Sequence, residues 1–268
     1  MAITTRDQLV AAIAAAYEAP FYKASITSVA GFFYSTFRTA AGMPAASTLS
    51  VPTTTGNTLS RTSSGAIPMP AVGSNTAYAA AVDLVGGTVG TVVLYDRLVE
   101  YGGLSGTTTT AQSVSAVTLP TRSGSGDGNE LWLDIYTALG STASATVTAS
   151  YTNQAGSSGK TATLVGGIPA SIPANRCMRF ALAAGDTGVQ SVQSFTSTTS
   201  TLTAGSIGLT IRHPIGFWAM QTANVAVKYG YAETALSIIP TDACMELLVL
   251  ATASSTGQFQ GILAIAQG

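Results

Sequence analysis

The sequence predicts a mainly β protein: an antiparallel β-sandwich of jelly-roll type, with a short amino-terminal helix and an extended arm. Two observations carry this. From Glu130 to Val165, Leu131, Leu133 and Ile135 oppose Trp132, Asp134 and Tyr136, and Ala145, Val147, Ala149 and Tyr151 repeat the two-residue period. That period sends one set of side chains into a core and the other outward, as in a half-buried strand. The second observation is spacing. Short apolar, β-branched or aromatic runs recur between Gly-, Ser-, Asn- and Thr-rich turns, which points to a sandwich or jelly roll rather than an α/β fold.

In chain order, a helix comes first. Thr5 is a suitable N-cap, Gln8 three residues on completes a capping box, and Ala-rich filling extends the helix to about Tyr17, before Pro20. The apolar run Leu9 to Ala16 also invites a signal-peptide reading, but one Arg followed by Asp7 is not a positive flank. Residues 20–45 carry Phe21, Tyr22, Phe32, Phe33, Tyr34 and Phe37, spaced for a second short helix or a packed loop. These six are the candidate interface residues. They either pack on the protein's own core or anchor another subunit, where aromatics dominate binding energy. Residues 43–76 hold Pro44, Pro52, Pro68 and Pro70 among Ser, Thr and Gly. Proline removes ladder donors, so an extended arm is expected, and an arm lying across a neighbouring subunit would explain so long an irregular piece. The expected division is 1–77 for helix and docking arm and 78–268 for the β domain.

Strands are expected at 79–85, 91–100 and 107–119, the last on β-propensity alone. Three strands fill 130–165, reversing at Gly140 and at Asn153-Gln154-Ala155-Gly156. Further strands are expected at 176–183, 189–195 and 206–211. Residues 214–236 look less regular. A final hairpin pairs 245–252 with 259–266 around Ser254-Ser255-Thr256-Gly257.

Composition narrows the function classes. Only 9% of residues are charged, with a net charge of −1, where an ordinary domain carries about a quarter. At 46% hydrophobic residues the chain is no disordered segment. Such a chain repels its copies weakly, so its surface is expected to be covered by itself or by a partner. Basic residues are scattered singly, which argues against nucleic acid. The apolar run from Leu247 is interrupted by Ser, Thr, Gln and Gly, so no membrane span is expected.

No catalytic constellation emerges. Cys177 and Cys244 fit no metal spacing and read as two buried free thiols, with a disulfide in an oxidising compartment as the alternative. His213 is the only histidine, at the strand end Ile211-Arg212-His213-Pro214, and no Gly-x-Ser-x-Gly elbow exists. A hydrogen-bonded structural role is expected, and one histidine excludes a His-based metal cluster. Asp127-Gly128-Asn129-Glu130 offers oxygens but no EF-hand spacing, so a plain turn is favoured over calcium. Gly86-Gly87-Thr88-Val89-Gly90 is too short for a dinucleotide fingerprint. Nothing selects a pair among the acidic residues for glycoside hydrolysis. Trp132, Tyr136, Tyr151, Phe217 and Trp218 are expected in the core rather than in a sugar groove. Catalytic residues, cofactors and metals are all expected to be absent.

Several stretches resemble tailed-bacteriophage virion proteins. The opening MAITTRDQLVAAIA is similar to the short amino-terminal helix of phage structural proteins. Leu94-Tyr95-Asp96-Arg97-Leu98, Gly103-Leu104-Ser105 with Thr107-Thr108-Thr109-Thr110-Ala111-Gln112, Ser150-Tyr151-Thr152-Asn153-Gln154-Ala155-Gly156 and Ala184-Gly185-Asp186-Thr187-Gly188-Val189-Gln190-Ser191-Val192 resemble a set found in phage particle proteins. The likeness covers roughly residues 78–212 and rests on no catalytic motif. It implies a capsid- or tail-associated β protein. The expected role is a decoration or cement protein on the capsid exterior, made in the host cytoplasm, with the major capsid protein and copies of itself as partners. The alternative is a tail or fibre adhesin binding host glycan; a hydrolase using two acidic residues ranks third.

Overall fold

The computed structural model describes residues 3–48 and 52–268; Met1 and Ala2 of the opening helix motif and Leu49, Ser50 and Val51 of the arm lie outside the described residues. In chain order the first elements are α1 (Arg6–Ala14), β1 (Tyr17–Thr27), β2 (Phe33–Ser35), β3 (Gly42–Met43), β4 (Asn57–Thr58), β5 (Ala77–Gly86), β6 (Gly90–Leu104) and β7 (Gln112–Ser113). A 3-10 turn (Thr121–Ser123) precedes β8 (Glu130–Thr137), β9 (Val147–Asn153), β10 (Lys160–Leu164), β11 (Arg176–Ala181) and β12 (Val189–Ser197). The chain finishes with β13 (Ser206–Met220), β14 (Val227–Tyr229), α2 (Tyr231–Thr234), β15 (Ile238–Ile239), β16 (Met245–Ala251) and β17 (Thr256–Gln267). The protein is mainly β, its ladders are antiparallel, and a short helix begins it.

The capping box forms: Thr5 Oγ1 accepts from the Gln8 amide at 3.2 Å, and Gln8 Oε1 accepts from the Thr5 amide at 3.1 Å. The helix stops at Ala14, short of Tyr17, because Tyr17 is already paired with Ile265 in a sheet. Pro20 lies inside β1 opposite Ile262. The aromatic stretch beyond it forms no second helix. It runs through β1, turns at Gly31 (φ +80°) and enters β2.

Two compact units result, one of residues 1–48, 60–96 and 215–268, the other of 49–59 and 97–214. The expected boundary at 77/78 is therefore not where the chain divides. β6 and β13 each carry residues of both units, so no single cut separates them.

Unit 1 is a two-sheet sandwich. One sheet has the order β14-β5-β17-β1-β3, with β15 also on β5; the other ladder is β2-β16-β6. Their inner faces share one core, where Phe21, Val82, Leu84, Phe259 and Leu263 meet Val92, Leu94, Leu247 and Val249. The expected 245–266 hairpin does not form. β16 pairs β6 and β2, while β17 pairs β5 and β1. The apolar faces of the two strands look at each other across the core, whereas a hairpin would set them side by side.

Unit 2 carries the ladder β6-β13-β8-β11-β10-β9-β12-β7, with β4 on β6. β9 and β10 form the expected hairpin, turning at Gly156 (φ +78°) with Asn153 Oδ1 accepting from the amides of Ala155 and Ser157. β8 does not join that meander; it lies between β13 and β11. The expected 107–119 strand shrinks to β7, since Thr-rich propensity alone supplies no apolar face to bury.

The arm is irregular, as expected, but its described residues are fastened to their own chain. Ile67, Met69 and Val72 sit in the unit 1 core. In unit 2 the carbonyls of Thr53 and Thr54 accept from Gly102 (3.1 Å) and Ser115 (2.8 Å). These described parts of the arm are therefore held by their own chain.

Candidate functional site

The outward-facing residues of the larger unit 1 sheet build an exposed surface from the strand register. Antiparallel pairing aligns Met43, Tyr22, Gln260 and Val85 in one row across β3, β1, β17 and β5. Two residues along, Pro20, Ile262, Asp83 and Lys228 form the next row, and Glu18, Ala264 and Ala81 a third. Alternation buries Ala19, Phe21 and Lys23 beneath them. Met43 is 48% exposed, and Tyr22 and Ile262 each 37%. Between the rows runs a groove of about 370 Å³ lined by Pro20, Tyr22, Met43, Asp83, Val85 and Ile262 among others. Gly261 at its middle lies so close to the β5 backbone that a Cβ there would fall 1.9 Å from the Asp83 carbonyl.

Only part of the six-residue candidate interface lies on this surface. Tyr22 does; Phe32 and Phe33 are half-buried; Phe21, Tyr34 and Phe37 are buried. Below the surface Lys23 is also buried, its Nζ donating to the Pro44 carbonyl at 2.9 Å. Burial pulls its ammonium down to about 8.

Unit 2 holds a second feature that scattered charges in sequence did not reveal. Arg97, Glu100, Asp134 and Arg212 come together from β6, β8 and β13 and are all buried. Arg97 bridges Glu100 and Asp134 at 2.8 Å each. Arg212 Nη2 donates to Asp134 Oδ2 at 2.9 Å, and its Nη1 lies 2.9 Å from Oδ1 as a charge contact without hydrogen-bond alignment. Thr210 donates to the same carboxylate at 2.8 Å, and Arg212 stacks over Trp132 at 5.6 Å. Burial would raise the Asp134 carboxyl, but the Arg212 and Arg97 charges, with hydrogen bonds from Arg212 and Thr210, outweigh it and hold it well below the usual carboxylate range. The set is buried and so inaccessible to a substrate. It organises the interior of unit 2.

The loop Asp127–Glu130 meets the turn at 185–188. Thr187 donates to Asp127, while Tyr151 and Asn153 donate to Asp186. Those two hydrogen bonds lower the Asp186 carboxyl, and burial together with Asp186 pushes the Tyr151 phenol up to about 12. Glu130 accepts from Arg179 at 2.8 Å and from the Trp132 indole at 2.9 Å. The concavity there, about 500 Å³, is lined by apolar residues such as Val165 and Leu182 as well as polar ones, and its carboxylates Glu130 and Asp186 are already engaged by the protein's own donors. His213 Nδ1 lies 3.0 Å from Asn129 Oδ1. Among the described residues no three His, Cys, Asp or Glu side chains gather as a metal set. Cys177 and Cys244 are buried, and neither is in a disulfide. Of the aromatics weighed for a sugar groove, Trp132, Tyr151 and Trp218 are core, Tyr136 is half-buried and Phe217 is 77% exposed.

No family model matches the chain, and no curated protein matches it. Solved structures with a very weak likeness to it include viral capsids. Infectious bursal disease virus of the Gt strain is 7% identical, with 94% of this chain and 81% of that chain covered and a TM-score of 0.21. The VP2 subviral particle of the same virus is also 7% identical, over 94% and 80%, with a TM-score of 0.21. Likeness at that level carries no argument about fold or function.

Proposed function

We propose that this chain is a non-catalytic structural protein of a bacteriophage particle, decorating and cementing the capsid exterior by bridging neighbouring capsid subunits. The observation that carries this reading is the outer face of the larger unit 1 sheet: rows of partly exposed apolar residues, Met43, Tyr22, Pro20 and Ile262, on a chain with 9% charged residues. A sheet face of that kind gains free energy by being covered. The sequence resemblance to phage virion proteins supports the setting. The mechanism is mechanical. Each copy buries surface on two neighbours, a standard interface being about 1,600 Å², and repetition around a shell adds weak contacts through multivalency.

Deleting the first 45 residues would be a poor test, because β1 lies between β17 and β3 and supplies Ala19 and Phe21 to the core. The full chain carrying Tyr22→Ser with Ile262→Asp is better. Sedimented with purified shells stripped of this protein, the double variant is expected to stay in the supernatant while its circular dichroism matches wild type. Binding equal to wild type overturns the reading. Binding of the isolated protein to a glycan array, with only a few copies per particle at the tail, would put a host-binding adhesin in its place.

A further inference from the structure

The groove on that outer face is not uniformly apolar. Asp83, on β5 in the row Pro20–Ile262–Asp83–Lys228, lies among its lining residues. Its Oδ1 is occluded from solvent and makes no hydrogen bond with the described residues. Its nearest cation is Lys228 Nζ, 3.9 Å away on a side chain 73% exposed, a contact too long and too wet to hold the carboxylate. The Asp83 side chain is itself 44% exposed, so that exposure belongs to Oδ2 and the methylene at the groove. Glu18 in the neighbouring row adds a second negative charge, also exposed. A half-buried carboxylate with one oxygen open to the groove, flanked by Pro20, Tyr22, Val85 and Ile262, is complementary to a ligand with apolar side chains and one cation.

We infer that this groove takes an extended polypeptide segment of a partner protein, with apolar side chains seated against Tyr22, Met43 and Ile262 and one lysine or arginine donating to Asp83. The inference rests on the outer face being the docking surface and names the chemistry of what docks there. A partner cation would meet the open oxygen of Asp83 beside apolar side chains, forming a charge-assisted hydrogen bond of the size of a partly exposed pair. Lys228, held only loosely, can swing aside. A second copy docked about a two-fold axis lying along the row would set Asp83 against Asp83, a like-charge contact.

The test needs no particle, so it fails separately from the capsid reading. Two synthetic octapeptides alternating valine and threonine, one with a central lysine and one with glutamate in its place, are titrated into the full chain. The Met43 and Ile262 methyl resonances are followed by NMR, which registers millimolar binding. The lysine peptide is expected to shift both methyls and to bind about three- to fivefold more tightly than the glutamate peptide, the size of one partly exposed charge pair. Asp83→Asn, close to isosteric, is expected to erase that preference while leaving residual apolar binding. Equal binding of both peptides, an unchanged preference in Asp83→Asn, or no shift at millimolar peptide overturns the inference. So does a concentration-dependent dimer in sedimentation that Ile262→Asp abolishes.

Discussion

Replacing Asp134 by Asn separates charge from shape at the centre of unit 2. The two side chains have nearly the same volume, so no cavity opens, and the cost is electrostatic. Asp134 accepts from Arg97, Arg212 and Thr210 at 2.8–2.9 Å with every partner buried. With its charge removed, the Arg97 and Arg212 guanidiniums lose the anion they share in a dry site, and breaking a buried pair in this way costs about 3–5 kcal/mol. At a urea slope of about 2 kcal/mol per molar, the midpoint drops by about 1.5–2.5 M. The chain has two tryptophans, and Trp132 packs beneath Arg212. In a Trp218→Phe background its emission therefore reports unit 2 alone. Adding Arg212→Met to Asp134→Asn leaves Arg97 with Glu100, a matched pair, so the double change should cost at least about 1 kcal/mol less than the two single costs summed. Acid gives an independent reading. The folded carboxyl binds its proton far less tightly than the unfolded one. Its contribution is therefore complete above about pH 4 and is lost as pH falls below that. Asp134→Asn should remove this part of the acid slope. A destabilisation below about 1 kcal/mol, or additive single and double changes, would refute the idea that this network holds unit 2 together.

Two other perturbations address unit 1. Lys23 ionises more readily in the unfolded chain than in the fold, where burial pulls it to about 8. The folded state therefore binds the proton less tightly, and stability should rise between pH 8 and 10.5, by up to about 3 kcal/mol from this group. Comparing Lys23→Met with wild type across that window isolates it: the variant should lack the rise, and parallel curves would show that Lys23 is not the source. Gly261→Ala pushes a Cβ toward the Asp83 carbonyl and, at 2.5 Å, the Phe21 ring. Overpacking of this kind costs about 1–3 kcal/mol. The loss should appear in Trp218 emission in a Trp132→Phe background, and a thermal midpoint within 1 °C of wild type would contradict the close approach.

Local patterns in the sequence determined a good deal here. Thr5 with Gln8 dictated the capping box because a helix N-terminus is satisfied by its own next turn. Alternation from Leu131 to Ile135 dictated a strand, and Asn153 to Gly156 dictated its neighbour's turn, because these signals act within a few residues. Low charge raised the expectation of a covered surface, but Tyr22 and Phe21, adjacent and equally aromatic, could not be told apart until pairing with β17 set which of them faces out. Tertiary structure alone decided partnership. β16 and β17 read as a hairpin because they are close in sequence, yet they belong to opposing sheets because both must bury an apolar face in the same core. Arg97, Asp134 and Arg212 are scattered singly along the sequence; strand register placed them within hydrogen-bond reach, 37 and 78 positions apart. The outer-face groove is the same case. Its walls come from β1, β3, β5 and β17, segments that no local pattern links and that only the order of strands brings side by side.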